Sequence, residues 1–148
     1  MPASIHARFE REINQAETRL RSVSEETSRT TIRPGGWIRK QVLGHLIDSA
    51  LNNHQRFVRA ALQDEYRGPT YEQDGWVRMH AYDSIPWRVL VDLWLSQNHL
   101  LARVVSQVPA TKFNVQCFVG DNAPMSLQEL MEDYLRHMLH HLDQIYQS

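Results

Sequence analysis

Apolar residues recur at three- and four-residue spacing in four separate stretches of this chain, with no credible set of strands beside them. That period marks amphipathic helices, each with one face to bury. The first is expected over about 4–23, with Ile5, Phe9, Ile13, Ala16 and Leu20 on one stripe. The second, over about 38–63, carries Val42, Leu46, Ala50, Phe57 and Ala61, interrupted at Asn53. The third, over about 86–107, follows Ser84 and Pro86, since proline suits a first helical turn. Its stripe is Trp87, Leu90, Val91, Trp94, Leu101 and Val105. The fourth, over about 127–146, starts at Ser126-Leu127-Gln128-Glu129, where serine and glutamate can cap each other's backbone N–H. Four such helices in 148 residues predict an all-α four-helix bundle, one domain over 1–148.

The connections are long for a bundle. Pro34-Gly35-Gly36 breaks the first. The polar stretch over 64–84 contains Tyr71, Asp74 and Trp76, which read either as a cover over a site or as anchors for the loop. The segment around 112–124 reads as a small extended excursion. Trp87 and Trp94 read as core or as dimer interface.

Charge and cysteine usage bound the function. The net charge is -1 with no basic run, which argues against nucleic-acid binding. No stretch approaches the ~18 apolar residues of a spanning helix, and the first residues resemble neither a signal peptide nor an anchor. The single cysteine, Cys117, permits no intrachain disulfide, so a reducing cytoplasm is expected. It has no neighbouring acid or base in sequence and reads as an unreactive thiol.

Three of the eight histidines crowd into "YLRHMLHHLDQI". On a helical wheel His137 and His141 share the inward stripe of Leu127, Leu130, Tyr134 and Gln144. His140 falls with Asp133, Arg136 and Asp143 on the wet side. Histidines at i and i+4 are neighbours whose nitrogens can converge on one ion. The alternative is a pair of buried, hydrogen-bonded imidazoles. A candidate third ligand is His45, beside the apolar stripe of the second helix, on a polar row with Ser49, Asn52 and Arg56. His54 reads as solvated, His99 as a weaker candidate, and His6 and His80 as a polar-face and a loop residue. Three imidazoles leave coordination positions free, as catalytic rather than structural sites do. Metal affinity is expected to fall below pH ~6.5, where free imidazoles protonate.

Together, "GGWIRKQVLGHLIDSALNNHQRF", "YEQDGWV" and "YLRHMLHHLDQI" resemble the DinB/YfiT-like superfamily of metal-binding four-helix bundles, over nearly the whole span from Trp37 to Ile145. The resemblance implies metal ligands at His45, His137 and His141, zinc or nickel as the divalent metal, and a homodimer. It implies a metal-dependent enzyme that activates a low-molecular-weight thiol, such as bacillithiol or mycothiol, or water, for transfer to a small-molecule electrophile. A metal-dependent hydrolase and a non-catalytic dimeric metal-binding module are the alternatives. Beside the ligands, Asp48 reads either as a partner that orients a ligand imidazole or a metal-bound water, or as a helix-surface aspartate. Arg56, with Asn52 at the pocket mouth, reads either as a bidentate anchor for an anionic substrate group or as half of a surface salt bridge. Gln144 reads as an outer partner of His141 or as a polar end of the core.

Overall fold

The computed structural model describes residues 4–147. The four expected helices are present as α1 (Ile5–Arg21), α3 (Arg39–Leu62), α5 (Trp87–Gln107) and α6 (Leu127–Tyr146). The fourth helix starts as its sequence signals. Ser126 Oγ accepts from the Glu129 N–H, and Glu129 Oε1 accepts from the Ser126 N–H, both at 3.1 Å. Each bond satisfies a donor that the first helical turn would leave unpaired.

The connections hold more structure than local pattern suggested. A one-turn helix α2 (Glu25–Ser28) lies in the first, and α4 (Gln73–His80) in the stretch read as a loop. Three short strands also form, β1 (Glu65–Gly68), β2 (Gln116–Val119) and β3 (Met125–Ser126). The expected excursion is β2, which pairs parallel with β1 and antiparallel with β3. β1 does not signal itself, because it exists through a partner about fifty residues away in sequence, Glu65 opposite Gln116.

The bundle packs α1 against α5 and α6, and α3 against the same two. Around the bundle the order is therefore α1–α5–α3–α6, with the consecutive long helices α1 and α3 on a diagonal. The long connections before α3 and before α6 span the two diagonals. Phe9, Ile13, Leu20, Leu43, Leu46, Trp94, Leu101 and Met131 are fully enclosed between the layers. Each such side chain contributes about 1.5–3 kcal/mol by leaving water. Trp87 and Trp94 both lie in this core, so neither forms an outward interface. Among the described residues no helix is long and apolar enough to cross a membrane.

Two buried cations tie the ends together. The Arg39 guanidinium donates to the carbonyls of Ile145, Thr30, Thr31 and Gln147 and to the Thr30 hydroxyl. Lys40 Nζ lies 2.7 Å from a Glu25 carboxylate oxygen. Burying these charges is tolerable because each is matched.

Gly44, in the middle of α3, is required by a close approach. A Cβ there would lie 2.1 Å from Tyr82 Cδ2. The bare backbone lets the Tyr82 ring lie on α3, where its hydroxyl donates to Asp48 Oδ1 at 2.6 Å. Alanine is favoured over glycine in a helix by about 1 kcal/mol. Gly44→Ala is nevertheless expected to destabilise the protein by about 1–3 kcal/mol, because the overlap forces Tyr82 off its seat. A chemical denaturation midpoint reads this, and a more stable variant would mean that Tyr82 moves freely.

Candidate metal centre

His45 enters the site from α3, and His137 and His141 from α6, the two helices that pack face to face. His45 is enclosed at 1% exposure, and the other two are half-buried. One nitrogen from each ring lies within 4.8 Å of the other two. His45 Nε2 and His137 Nε2 are 3.1 Å apart. Two nitrogens bound to one zinc at ~2.0–2.1 Å are about 3.3 Å apart, so this pair stands at ligand spacing. The ring centroids form a near-equilateral triangle of 5.0, 4.9 and 4.6 Å, with the planes at 77–79°.

The helical wheel needs one adjustment. The buried centre of α6 runs through Met131, Leu135, Met138, Leu142 and Ile145, and the two histidines lie on its flank. The helix packs on both α1 and α3, which turns its most enclosed line away from the pair. His140 is exposed, as the wheel placed it, and so is His99.

The electrostatics favour neutral imidazoles. Burial, and then repulsion from His137 and His141, push the His45 pKa down to about 3. Burial and His141 push His137 down to about 4, and burial lowers His141 as well. Within the fold, protons therefore compete for the His45 and His137 nitrogens well below the pH ~6.5 expected from free imidazole.

Gln144 Oε1 lies 2.8 Å from His141 Nδ1. A carbonyl oxygen only accepts, so this contact holds the proton on Nδ1 and leaves the Nε2 lone pair free. Gln144 is thus the outer partner of His141. The Trp37 ring packs at 5.3 Å from His45 and covers it. His45 Nδ1 is buried without a hydrogen-bond partner.

The fold removes the surface reading of Asp48. It is completely buried, so it is no surface aspartate, and its partners are Tyr82 and His80 rather than a ligand imidazole. His80, read as a loop residue, ends α4 and brings Nδ1 to 3.0 Å from Asp48 Oδ1. Burial raises the Asp48 pKa, against the lowering effect of the Tyr82 hydrogen bond and of His80. No local pattern points to Tyr82 or His80, because a connection folds back to bring them there.

Arg56 is no surface salt bridge either. It is 9% exposed and donates to the Pro69 carbonyl at 3.2 Å. Asn52 is turned back on its own helix, donating to the Asp48 carbonyl, and its neighbour Asn53 lines the pocket instead.

Two cavities adjoin the histidines. One, of about 590 Å³, is lined by His141, Trp37, Gln144, Arg33 and Asp74. The other, of about 250 Å³, is lined by His137, Ser49, Asn53, Arg56 and Tyr71. Asp74 and Tyr71 thus flank the site, while Trp76 packs edge-on against Tyr71 and His80. Cys117 is distant from this chemistry: it is buried, and burial raises its thiol to about 11, so it stays protonated at neutral pH.

A helical bundle with three neutral imidazoles converging beside open cavities defines the class of bundle proteins built to hold a metal. The chain belongs to the DinB superfamily, whose family model matches residues 8–145. It is 28% identical over 127 residues to a protein of Halalkalibacterium halodurans proposed to be a metal-dependent hydrolase, a match covering 86% of this chain and 74% of that one. A Bacillus licheniformis protein with the same proposed activity is 27% identical over 140 residues, covering 90% and 79%. Among solved structures, YfiT from Bacillus subtilis, described as a probable metal-dependent hydrolase with an unusual four-helix bundle topology, superposes with a TM-score of 0.83 at 18% identity. That match covers 95% of this chain and 83% of YfiT. A mycothiol-dependent maleylpyruvate isomerase superposes with a TM-score of 0.78 at 11% identity, covering 95% of this chain and 59% of the isomerase. At these identities the two structures speak for the fold alone.

Proposed function

We propose that this protein is a metal-dependent enzyme in which His45, His137 and His141 hold a divalent ion, zinc or nickel, and which transfers a low-molecular-weight thiol to a small electrophile. The observation that carries the reading is the convergence of three neutral imidazoles, with no fourth histidine, cysteine or carboxylate in the group among the described residues. A structural site would favour four protein ligands; an incomplete set leaves room for a reactant. An ion held there would supply Lewis acidity, which makes a thiol or a water molecule acidic at neutral pH.

The chain's own residues supply orientation and exclusion of water. Gln144 fixes the tautomer of His141. Trp37 shields His45 from solvent. The larger cavity, beside His141, suits a thiol of cofactor size, and the smaller, beside His137, a compact electrophile. Hydrolysis by the same site is the second reading, favoured by the names of the two curated relatives.

Assay of the zinc- or nickel-loaded protein with a panel of thiols and electrophiles, read by mass spectrometry, separates the two. A thiol adduct that forms only with metal and thiol together supports transfer. A product carrying water, formed equally without thiol, supports hydrolysis. No turnover with either, together with metal-dependent binding of a protein partner, supports the non-catalytic module.

A homodimer is part of the same proposal. With the tryptophans in the core, the surface that would serve is the outer stripe of α5, where Val89, Leu93 and Leu100 are exposed at helical spacing. A monomeric mass by light scattering would remove this part and leave the site unaffected.

A further inference from the structure

We propose that the small cavity beside His137 is a carboxylate-binding site anchored by Arg56, so that the molecule delivered there is a short monocarboxylate. The assignment rests on the enzyme reading only in calling that molecule the substrate; the anion site itself stands on Arg56.

The inference starts from an imbalance among the buried cations. Arg39, Lys40 and Arg56 are the buried cations of this chain among the described residues. Arg39 has five acceptors, and Lys40 has a carboxylate. Arg56, 9% exposed, makes one hydrogen bond, to the Pro69 carbonyl. Among the described residues no carboxylate lies within ion-pair distance of it. A guanidinium cannot escape by losing its proton, and it carries five N–H donors in a planar fork. A buried charge with neither a counter-ion nor a full set of acceptors is costly. A bound carboxylate would match it through two parallel hydrogen bonds.

The surroundings select the ligand further. Arg56 lines the cavity together with Ser49, Asn53, Tyr71 and Asn122, a ring of neutral polar side chains. The Tyr71 ring lies 5.9 Å from the guanidinium carbon and borders its open side. The only carboxylate among the lining residues, Asp133, is paired with Arg136 at 2.6 Å. Arg56 is the one arginine or lysine among the lining residues, so a monocarboxylate fits better than a dicarboxylate. At about 250 Å³ the cavity is smaller than the ~300–1,000 Å³ of most ligand pockets, which limits the occupant to a short acid. His137 lines the same cavity, so a carboxylate on Arg56 would hold the rest of the molecule toward the histidine cluster.

The test uses propionate as the probe, with propionamide as its uncharged counterpart, followed by amide chemical shifts and thermal melting. Both metal-free and zinc-loaded protein are titrated. Wild type is expected to bind propionate in both forms and to prefer it clearly over propionamide. Arg56→Met is expected to weaken propionate binding roughly tenfold or more, since a hydrogen bond to a charged partner is lost. Arg56→Lys should fall between, because it keeps the charge and loses the fork; it also serves if the methionine variant fails to fold. Propionate should raise the melting temperature of wild type and not of Arg56→Met. Equal binding of acid and amide, or equal propionate affinity in wild type and in either variant, would overturn the proposal. Binding only to zinc-loaded protein, undiminished in Arg56→Met, would assign the carboxylate to the ion and overturn it as well. If the protein retains no zinc, the enzyme reading fails, while the metal-free titration still decides the role of Arg56.

Discussion

Alanine at His45, His137 or His141 should leave the purified protein nearly free of zinc or nickel, whereas His140→Ala should keep its metal content. Each of the three contributes one nitrogen to a set that lies within 4.8 Å. Removing one leaves two donors on a cation that needs three or four. Losing an outer partner of a metal site typically costs about 10–100-fold in affinity, and losing a direct ligand costs more. Gln144→Ala, which removes the acceptor for His141 Nδ1, should accordingly fall between wild type and the ligand variants. His140 is exposed, and its nearest polar contact is Gln144 at 3.4 Å. Elemental analysis after dialysis against the ion reads all five variants. Equal loss in His140→Ala and His141→Ala would sink the assignment. Circular dichroism on each variant guards against simple unfolding, which matters most for the enclosed His45.

The metal-free protein should lose stability steeply as the pH falls below 6.5. The unfolded chain protonates its histidines near 6.5. In the fold His45 stays neutral down to about 3 and His137 down to about 4. Between these limits the unfolded state binds more protons, so acid shifts the balance toward it. Above pH 6.5 both states hold the same neutral rings and the effect vanishes. The slope is at most about 1.4 kcal/mol per pH unit for each group. For His45, whose ring is enclosed, the full shift from 6.5 to about 3 sets an upper bound of roughly 5 kcal/mol. His137 and His141 are half-buried, and solvent screening reduces their share. Denaturation midpoints measured from pH 7 to pH 4 test this, with His45→Gln as the non-titrating control. A wild-type slope no steeper than that of His45→Gln would refute the account.

The long helices were legible in the sequence because a helix advertises itself locally. The stripe of Phe9, Ile13 and Leu20, or the reciprocal capping of Ser126 and Glu129, needs no knowledge of the rest of the chain. The pairing of His137 with His141 is of the same kind, since four residues of helix bring two side chains together wherever the helix lies. The exclusion of His140 is equally local. His45 could be named as a candidate from its polar row, but its meeting with the other two required the packing of α3 on α6.

What only the tertiary structure decided lies where segments distant in sequence meet. Asp48 could be read as a helix-surface residue because its chain neighbours do not reveal its contacts with Tyr82 and His80. Gly44 is explained only by the Tyr82 ring lying against it. The strand over 65–68 has no signal of its own, because its backbone partners lie at 116–119. Arg56 carried two readings on paper, and burial without a carboxylate removed the surface salt bridge. The sequence alone determined the four long helices and the histidine pair, because the 3.6-residue period and the caps act within one or two turns. The third imidazole, the buried aspartate and the unmatched arginine were left to the fold, because burial and pairing depend on which surfaces meet.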